Sequence, residues 1–124
     1  NKIINPNFEY ISNKRNITEY LKKGDLFCFM SYREGLPKVL LEASLFKMPL
    51  ISYDVPGCRE VVKNNENGYL VDFNNKEDFQ RKIIFIANNP ELRKIMGEKA
   101  RLHVENNFSD KIILNLYKNI WIKD

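Results

Sequence analysis

The chain offers almost nothing to a structural metal or to a disulfide framework. It carries one histidine, His103, and two cysteines, Cys28 and Cys58, thirty residues apart. Zinc sites need closely spaced thiol and imidazole ligands, and disulfide scaffolds need a dense, even set of cysteines, so both are excluded. The thiols are expected to be free, in a reducing compartment. With no His or second Cys beside it, Cys58 is not expected to be a nucleophile, and Cys28 reads as core. His103 lies in a charged helical stretch, is expected to be exposed, and cannot form a triad unaided. No apolar run approaches the roughly 20 residues of a membrane span. No signal-peptide pattern is seen, so the sequons Asn16-Ile17-Thr18 and Asn107-Phe108-Ser109 are read as chance matches in an asparagine-rich chain.

Blocks of like charge are missing too. A net charge of +4 and a pI near 9.0 suit an anionic ligand or a membrane surface, but the lysines alternate with acids and never form a five-residue basic run. Nucleic acid is therefore not expected as a partner. The 44% hydrophobic and 29% charged fractions are those of an ordinary globular domain. At 124 residues the chain suffices for one domain but is short for an enzyme with two substrates. It begins with Asn rather than Met and enters a strand-like run almost at once, so it is expected to be a piece of something longer.

The pattern that is present is α/β. Phe8 to Ser12 reads as a short strand, Thr18 to Lys22 as a polar helical turn, and "DLFCFM" (Asp25 to Met30) as a strand buried on both faces, which favours a parallel sheet. Pro37 is expected at the first position of a helix whose Val39, Leu40, Ala43 and Phe46 share a face, with Pro49 ending it. "LISYD" is the next strand, "VPG" a turn, and Arg59 to Lys63 a short helical segment. "NGYLVD" is a turn feeding a fourth strand. Such alternation is the mark of βαβ units. Three helices follow, Lys76 to Ala87, Pro90 to Glu105 and Asp110 to Ile122, with Asn75, Asn89 and Ser109 as N-caps. Tyr117 and Trp121, four apart, belong either to the core or to a docking surface. No repeat or linker divides the chain.

Open parallel sheets bind ligands at the carboxyl ends of their strands, which makes Ser31 to Leu36 the candidate site loop. Gly35 allows close backbone approach. The helix behind it points its first amides, those of Lys38 and Val39, at whatever sits there, and these favour a phosphate. Glu34 stays in the loop, and Glu42 lies about 7 to 8 Å past Pro37 along the helix. Two carboxylates bracketing a phosphate suit hydroxyls at both ends of an extended ligand, which describes a nucleotide sugar. Two acids at this spacing also arise as an ordinary loop acid and a solvated helix acid, and spacing alone leaves both readings open. Ser31, Tyr32, Arg59 and Glu60 are further residues placed at the cleft. For Glu60 a simple helix-start acid is an equal reading.

The stretches "EGLPKVLLEA", "MPLISYDVPGCREVVKNNENGYLV" and "NNPELRKIMGEKARLHVENNFS" resemble the family 4 retaining glycosyltransferases of GT-B fold, above all bacterial members that build surface polysaccharides. The resemblance implies that Glu34, the first acid of the E-x7-E element, meets the donor sugar near its reacting carbon. Glu42 then holds the ribose, and the backbone of Gly35, Leu36, Pro37, Lys38 and Val39 takes the diphosphate. It also implies a Rossmann-like parallel sheet of about four strands with flanking helices, forming part of the C-terminal, donor-binding domain over residues 1–124. Residues 1–75 hold the βα units and 76–124 the closing helices.

The acceptor domain and the basic pair that neutralises the leaving diphosphate would lie outside the chain. Lys38 is adjacent to the phosphate site, with its side chain more readily placed in solvent. No metal or cofactor is implied, the donor being a UDP- or GDP-sugar. The acceptor would be a glycan or lipid-linked glycan, in the cytoplasm or at the inner face of the cytoplasmic membrane with peripheral association. The alternative is a non-catalytic module that binds a nucleotide sugar or a protein. By itself the chain is expected to expose a sheet edge and to self-associate through it.

Overall fold

The computed structural model describes residues 25–30 and 35–122, with side chains described as far as residue 118. The elements are β1 (Phe27–Phe29), α1 (Lys38–Leu45), β2 (Leu50–Tyr53), α2 (Pro56–Arg59), β3 (Gly68–Val71), α3 (Lys76–Ala87), α4 (Pro90–Asn107) and α5 (Asp110–Ile122). The strands pair in parallel in the order β1-β2-β3, with Cys28 opposite Ile51 and Ile51 opposite Tyr69. The expected strand at Phe8 to Ser12 and the turn at Thr18 to Lys22 lie outside the described residues.

Alternation along the strands divides the core in two. Leu50 of β2, Phe27 and Phe29 of β1 and Leu70 of β3 join a cluster with Leu40, Leu41 and Ala43 of α1, Cys58, Val61 and Val62 around α2, Ala100 and Val104 of α4, and Leu116 of α5. Ile51, Tyr53, Cys28, Tyr69 and Val71 point the other way, onto Phe79 and Ile86 of α3 and Met96 of α4. Both crossovers, through α1 and through α2, lie on the first face, as a sheet that grows in one direction with crossovers of one hand requires. β1 is half-buried rather than buried on both faces. Helix α4 contributes to both clusters. Leu92 and Met96 pack on one side of the sheet, Ala100 and Val104 on the other, and Gly97 between them passes the α1–β2 loop at Lys47. Thus α4 crosses the amino edge of the sheet, opposite the edge where ligands bind.

Local signals explain most helix ends. Asn75 Oδ1 accepts from the amide of Asp78 at 3.1 Å, and Ser109 Oγ from that of Ile112 at 3.2 Å, as the capping residues predict. Asn89 occupies the N-cap of α4 but its side chain turns back to the Phe85 carbonyl, 2.7 Å away, and Arg93 reaches the last carbonyls of α3. Three expectations need correction. Pro37 is the N-cap of α1, not its first helical residue; its ψ of 106° is extended while its carbonyl already accepts from Leu40. Pro49 does not end α1. The Lys47 amide bonds Ser44 O (2.9 Å) and the Met48 amide bonds Ala43 O (3.2 Å), a Schellman motif with Lys47 at φ 60°, which stops the helix at Leu45. The segment after β2 is helical over Pro56–Arg59, not Arg59 to Lys63, because Pro56 takes the N1 place that suits its fixed φ.

At β3 the preceding turn bonds part of the outer edge. The Leu70 amide donates to Asn64 Oδ1 (2.9 Å), and Gly68 O accepts from the Asn65 amide (2.8 Å). Two of β3's outward groups are thus bonded by the turn that precedes it. On the β1 side the preceding chain lies outside the described residues.

Candidate functional site

At the carboxyl edge of the sheet, β1 runs out at Phe29, and Met30, Gly35 and Leu36 are exposed. A Cβ built on Gly35 would meet nothing within 4 Å, so the backbone there borders open space. Pro37 is buried and anchors the start of α1. The amides of Leu40 and Leu41 both donate to Pro37 O, at 3.1 and 3.4 Å, which leaves those of Lys38 and Val39 ahead of the helical ladder. Among the described residues no side chain caps α1, and no acid lies in its first turn. By contrast α3, α4 and α5 each carry Asp or Glu there. The positive end of α1 therefore has no carboxylate in its own first turn to offset it, and it faces the edge where an anionic ligand would arrive.

Glu42 follows one turn later, about 6 Å along the axis from Lys38. Leu40, Leu41, Ala43 and Ser44 bury the core side of α1, and the Ser44 hydroxyl is satisfied by Leu40 O at 2.8 Å. Val39, Glu42 and Phe46 form a half-buried row along the flank of the helix, while Lys38 is exposed. The structure thus places Gly35, Leu36, Pro37, Lys38, Val39 and Glu42 in one strand-to-helix junction. Ser31, Tyr32 and Glu34 lie outside the described residues.

The neighbouring strand end carries a second polar group. Arg59 Nε donates to Asp54 Oδ1 at 2.5 Å, and its Nη2 to Asp54 O at 3.4 Å. Both side chains are partly exposed, so the pair adds little stability, but it fixes the guanidinium at the β2 end of the edge. Asp54 was not singled out from sequence; an acid one turn before an Arg, at a strand's carboxyl end, was the available signal. Glu60 is exposed at the end of α2, not at a helix start, which corrects the dipole reading of that acid.

His103 is half-buried rather than exposed, because its ring bridges α4 to the α2 turn through Glu60 O at 3.0 Å. Cys58 is fully buried, in agreement with an unreactive thiol. Burial pushes the Cys28 thiol up to about 12, consistent with a core role. Tyr117 joins Arg101 (3.2 Å) and Glu105 (3.4 Å) between α4 and α5, and the side chain of Trp121 lies outside the described ones. An open groove lined by Tyr69, Asp78, Lys82 and Phe85 lies on the α3 face of the sheet, away from α1. Among the described residues no helix is long and apolar enough to cross a membrane.

The family profile described as "Glycosyl transferases group 1" matches residues 1–103. This chain belongs to the group 1 glycosyl transferases. It is 33% identical over 111 residues to an uncharacterized glycosyltransferase of Haemophilus influenzae, covering 89% of this chain and 31% of that protein. To the capsular polysaccharide biosynthesis glycosyltransferase CapM of Staphylococcus aureus it is 32% identical over 109 residues, covering 88% and 29%. The crystal structure of TarM superposes with a TM-score of 0.75 at 29% identity, over 86% of this chain and 22% of TarM. The fold is that of GT-B glycosyltransferases such as TarM. This glycosyl transferase chain spans less than a third of the length of these relatives.

Proposed function

We propose that this group 1 chain is the donor-binding region of a family 4 retaining glycosyltransferase, moving a sugar from a nucleotide diphosphate to an acceptor hydroxyl in bacterial surface polysaccharide or glycolipid synthesis. The observation that carries this is the start of α1: a helix with neither side-chain cap nor first-turn acid, facing the carboxyl edge of a parallel sheet, with Glu42 one turn behind. The Lys38 and Val39 amides take the diphosphate of the donor, and Glu42 accepts from the ribose hydroxyls. Glu34, next to Gly35 in the chain, stabilises positive charge on the sugar as the diphosphate departs and the acceptor attacks from the same face. Gly35 and Leu36 line the passage toward the sugar, with the Arg59–Asp54 pair at its border.

A structure of a TarM mutant from S. aureus, 30% identical over 83% of this chain and superposing with a TM-score of 0.73, holds UDP and alpha-GlcNAc-glycerol. That favours a UDP-sugar over a GDP-sugar as donor here, and the name of CapM favours a capsular type of product. Helix amides, with basic groups outside the chain, neutralise the diphosphate without a metal ion. The enzyme works in the cytoplasm or at the inner face of the cytoplasmic membrane, on a glycan or lipid-linked glycan held by another domain.

The test is transfer by the complete protein from a panel of UDP- and GDP-sugars in the presence of EDTA, with the anomeric configuration of the product read by NMR. Retention of configuration with chelator present is expected. Inversion, or activity that needs added Mg or Mn, would overturn the mechanism. Binding of a nucleotide sugar without transfer to any acceptor would favour the non-catalytic module instead.

A further inference from the structure

Three successive carbonyls at the end of α2 are each bonded by a side chain. Lys63 Nζ donates to Arg59 O at 2.7 Å, and Asn67 Nδ2 donates to Val61 O at 3.0 Å. Between them, Glu60 O is 3.0 Å from His103 Nε2. Lysine and asparagine belong to the segment that follows α2 directly, whereas His103 comes from α4, 43 residues on. It ties this turn to α4 through a polar group.

The surrounding bonds fix the imidazole's tautomer. A carbonyl oxygen only accepts, so Nε2 must carry hydrogen toward Glu60. Asn107 Nδ2 lies 2.9 Å from His103 O and 3.1 Å from His103 Nδ1. Turning the Asn107 amide over would set its oxygen against the His103 carbonyl, so Nδ2 faces both acceptors and Nδ1 holds a lone pair. The ring also meets Phe108 edge-on, with centroids 6.3 Å apart. Orientation, tautomer and partner are thus all determined.

We infer that His103, with its proton on Nε2, is a positioning residue: it pins the α2 turn from α4 and so holds Arg59 and its Asp54 partner at the β2 end of the donor edge. This rests on the donor-site reading of that edge. Arg59 sits immediately before the pinned carbonyl, in a helix of only four residues that cannot hold its own geometry.

The test uses the complete protein with His103→Leu, which keeps an apolar side chain without a donor, and His103→Gln, which keeps an N–H at the distance of Nε2. His103→Leu should raise the donor KM about fivefold, the factor expected for one lost neutral hydrogen bond, with a smaller change in kcat. Hydrogen exchange at Gly57 to Val62 should speed up in the Leu variant, and the Gln variant should recover both readouts. Imidazole nitrogen NMR of the unmodified protein should show hydrogen on Nε2, a readout that stands even if His103→Leu fails to fold. An unchanged donor KM in a folded Leu variant, no recovery by Gln, or no hydrogen on Nε2 would each overturn the role. A Glu42→Gln control separates the two ideas: if it leaves donor binding intact the donor-site reading itself fails, and if it weakens binding while His103→Leu does not, only the positioning role falls.

Discussion

A Cβ on Gly97 would stand 1.9 Å from the carbonyl oxygen of Lys47. That approach is what lets α4 cross the amino edge of the sheet and send Leu92 and Met96 to one face and Ala100 and Val104 to the other. Backbone, not a flexible side chain, occupies the space, so relief requires α4 or the Schellman turn to move. Gly97→Ala is expected to lower stability by about 1 to 3 kcal/mol despite the better helix propensity of Ala. Calorimetric unfolding of the complete protein checks it; an unchanged or higher Tm would show that the crossing is looser than this distance requires.

Asn67 offers a second point of leverage. It is almost fully buried, accepts from the Lys63 amide at 2.8 Å and donates to Val61 O at 3.0 Å. Asn67→Ala leaves a buried amide and carbonyl without partners, at a cost of about 1 to 3 kcal/mol. Exchange protection should fall across Val61 to Lys63 in the same variant. A loss in global stability with local protection unchanged would contradict the local cause.

Alkaline stability should reflect a half-buried thiol and a buried phenol. Burial lifts the Cys28 thiol from its ordinary 9.0 to about 12, and lifts the Tyr53 hydroxyl above its ordinary 10.0. Both folded-state values exceed the unfolded ones, so above pH 9 the unfolded chain releases protons that the folded chain retains, and stability falls as pH rises. Below pH 9 these contributions are fully present. The Tm of the complete protein should decline between pH 9 and 12, and Cys28→Val should flatten part of that decline. Alkylation of native protein at pH 8.5, mapped by mass spectrometry, should spare the buried Cys58; rapid labelling of it would contradict its burial.

What was legible in the sequence was what is local. The bounds of α3 and α5 follow from Asn75 and Ser109, whose side-chain oxygens bond amides three residues on, and the strands β2 and β3 from short apolar runs between turn residues. The junction of Gly35 to Glu42 was legible because a strand, a glycine and a proline in succession place a helix start at the sheet edge. The end of α1 was not, since its left-handed residue is Lys47 where glycine is the usual signal. The start of α2 was available in Pro56 and went to Arg59 instead. His103 could not be read at all: its partner is a backbone carbonyl 43 residues away, and no periodicity encodes that.

The central claim is that the start of α1 and Glu42 form the donor site, and titration calorimetry of the complete protein with UDP, comparing wild type with Glu42→Gln, tests it most directly. A carboxylate accepting from ribose hydroxyls contributes about 1.5 to 3 kcal/mol as a charged acceptor, so the substitution should weaken UDP binding by roughly one to two decades. Equal affinity for UDP in the two proteins would contradict the assignment of Glu42 to the nucleotide and, with it, the placing of the donor at this edge.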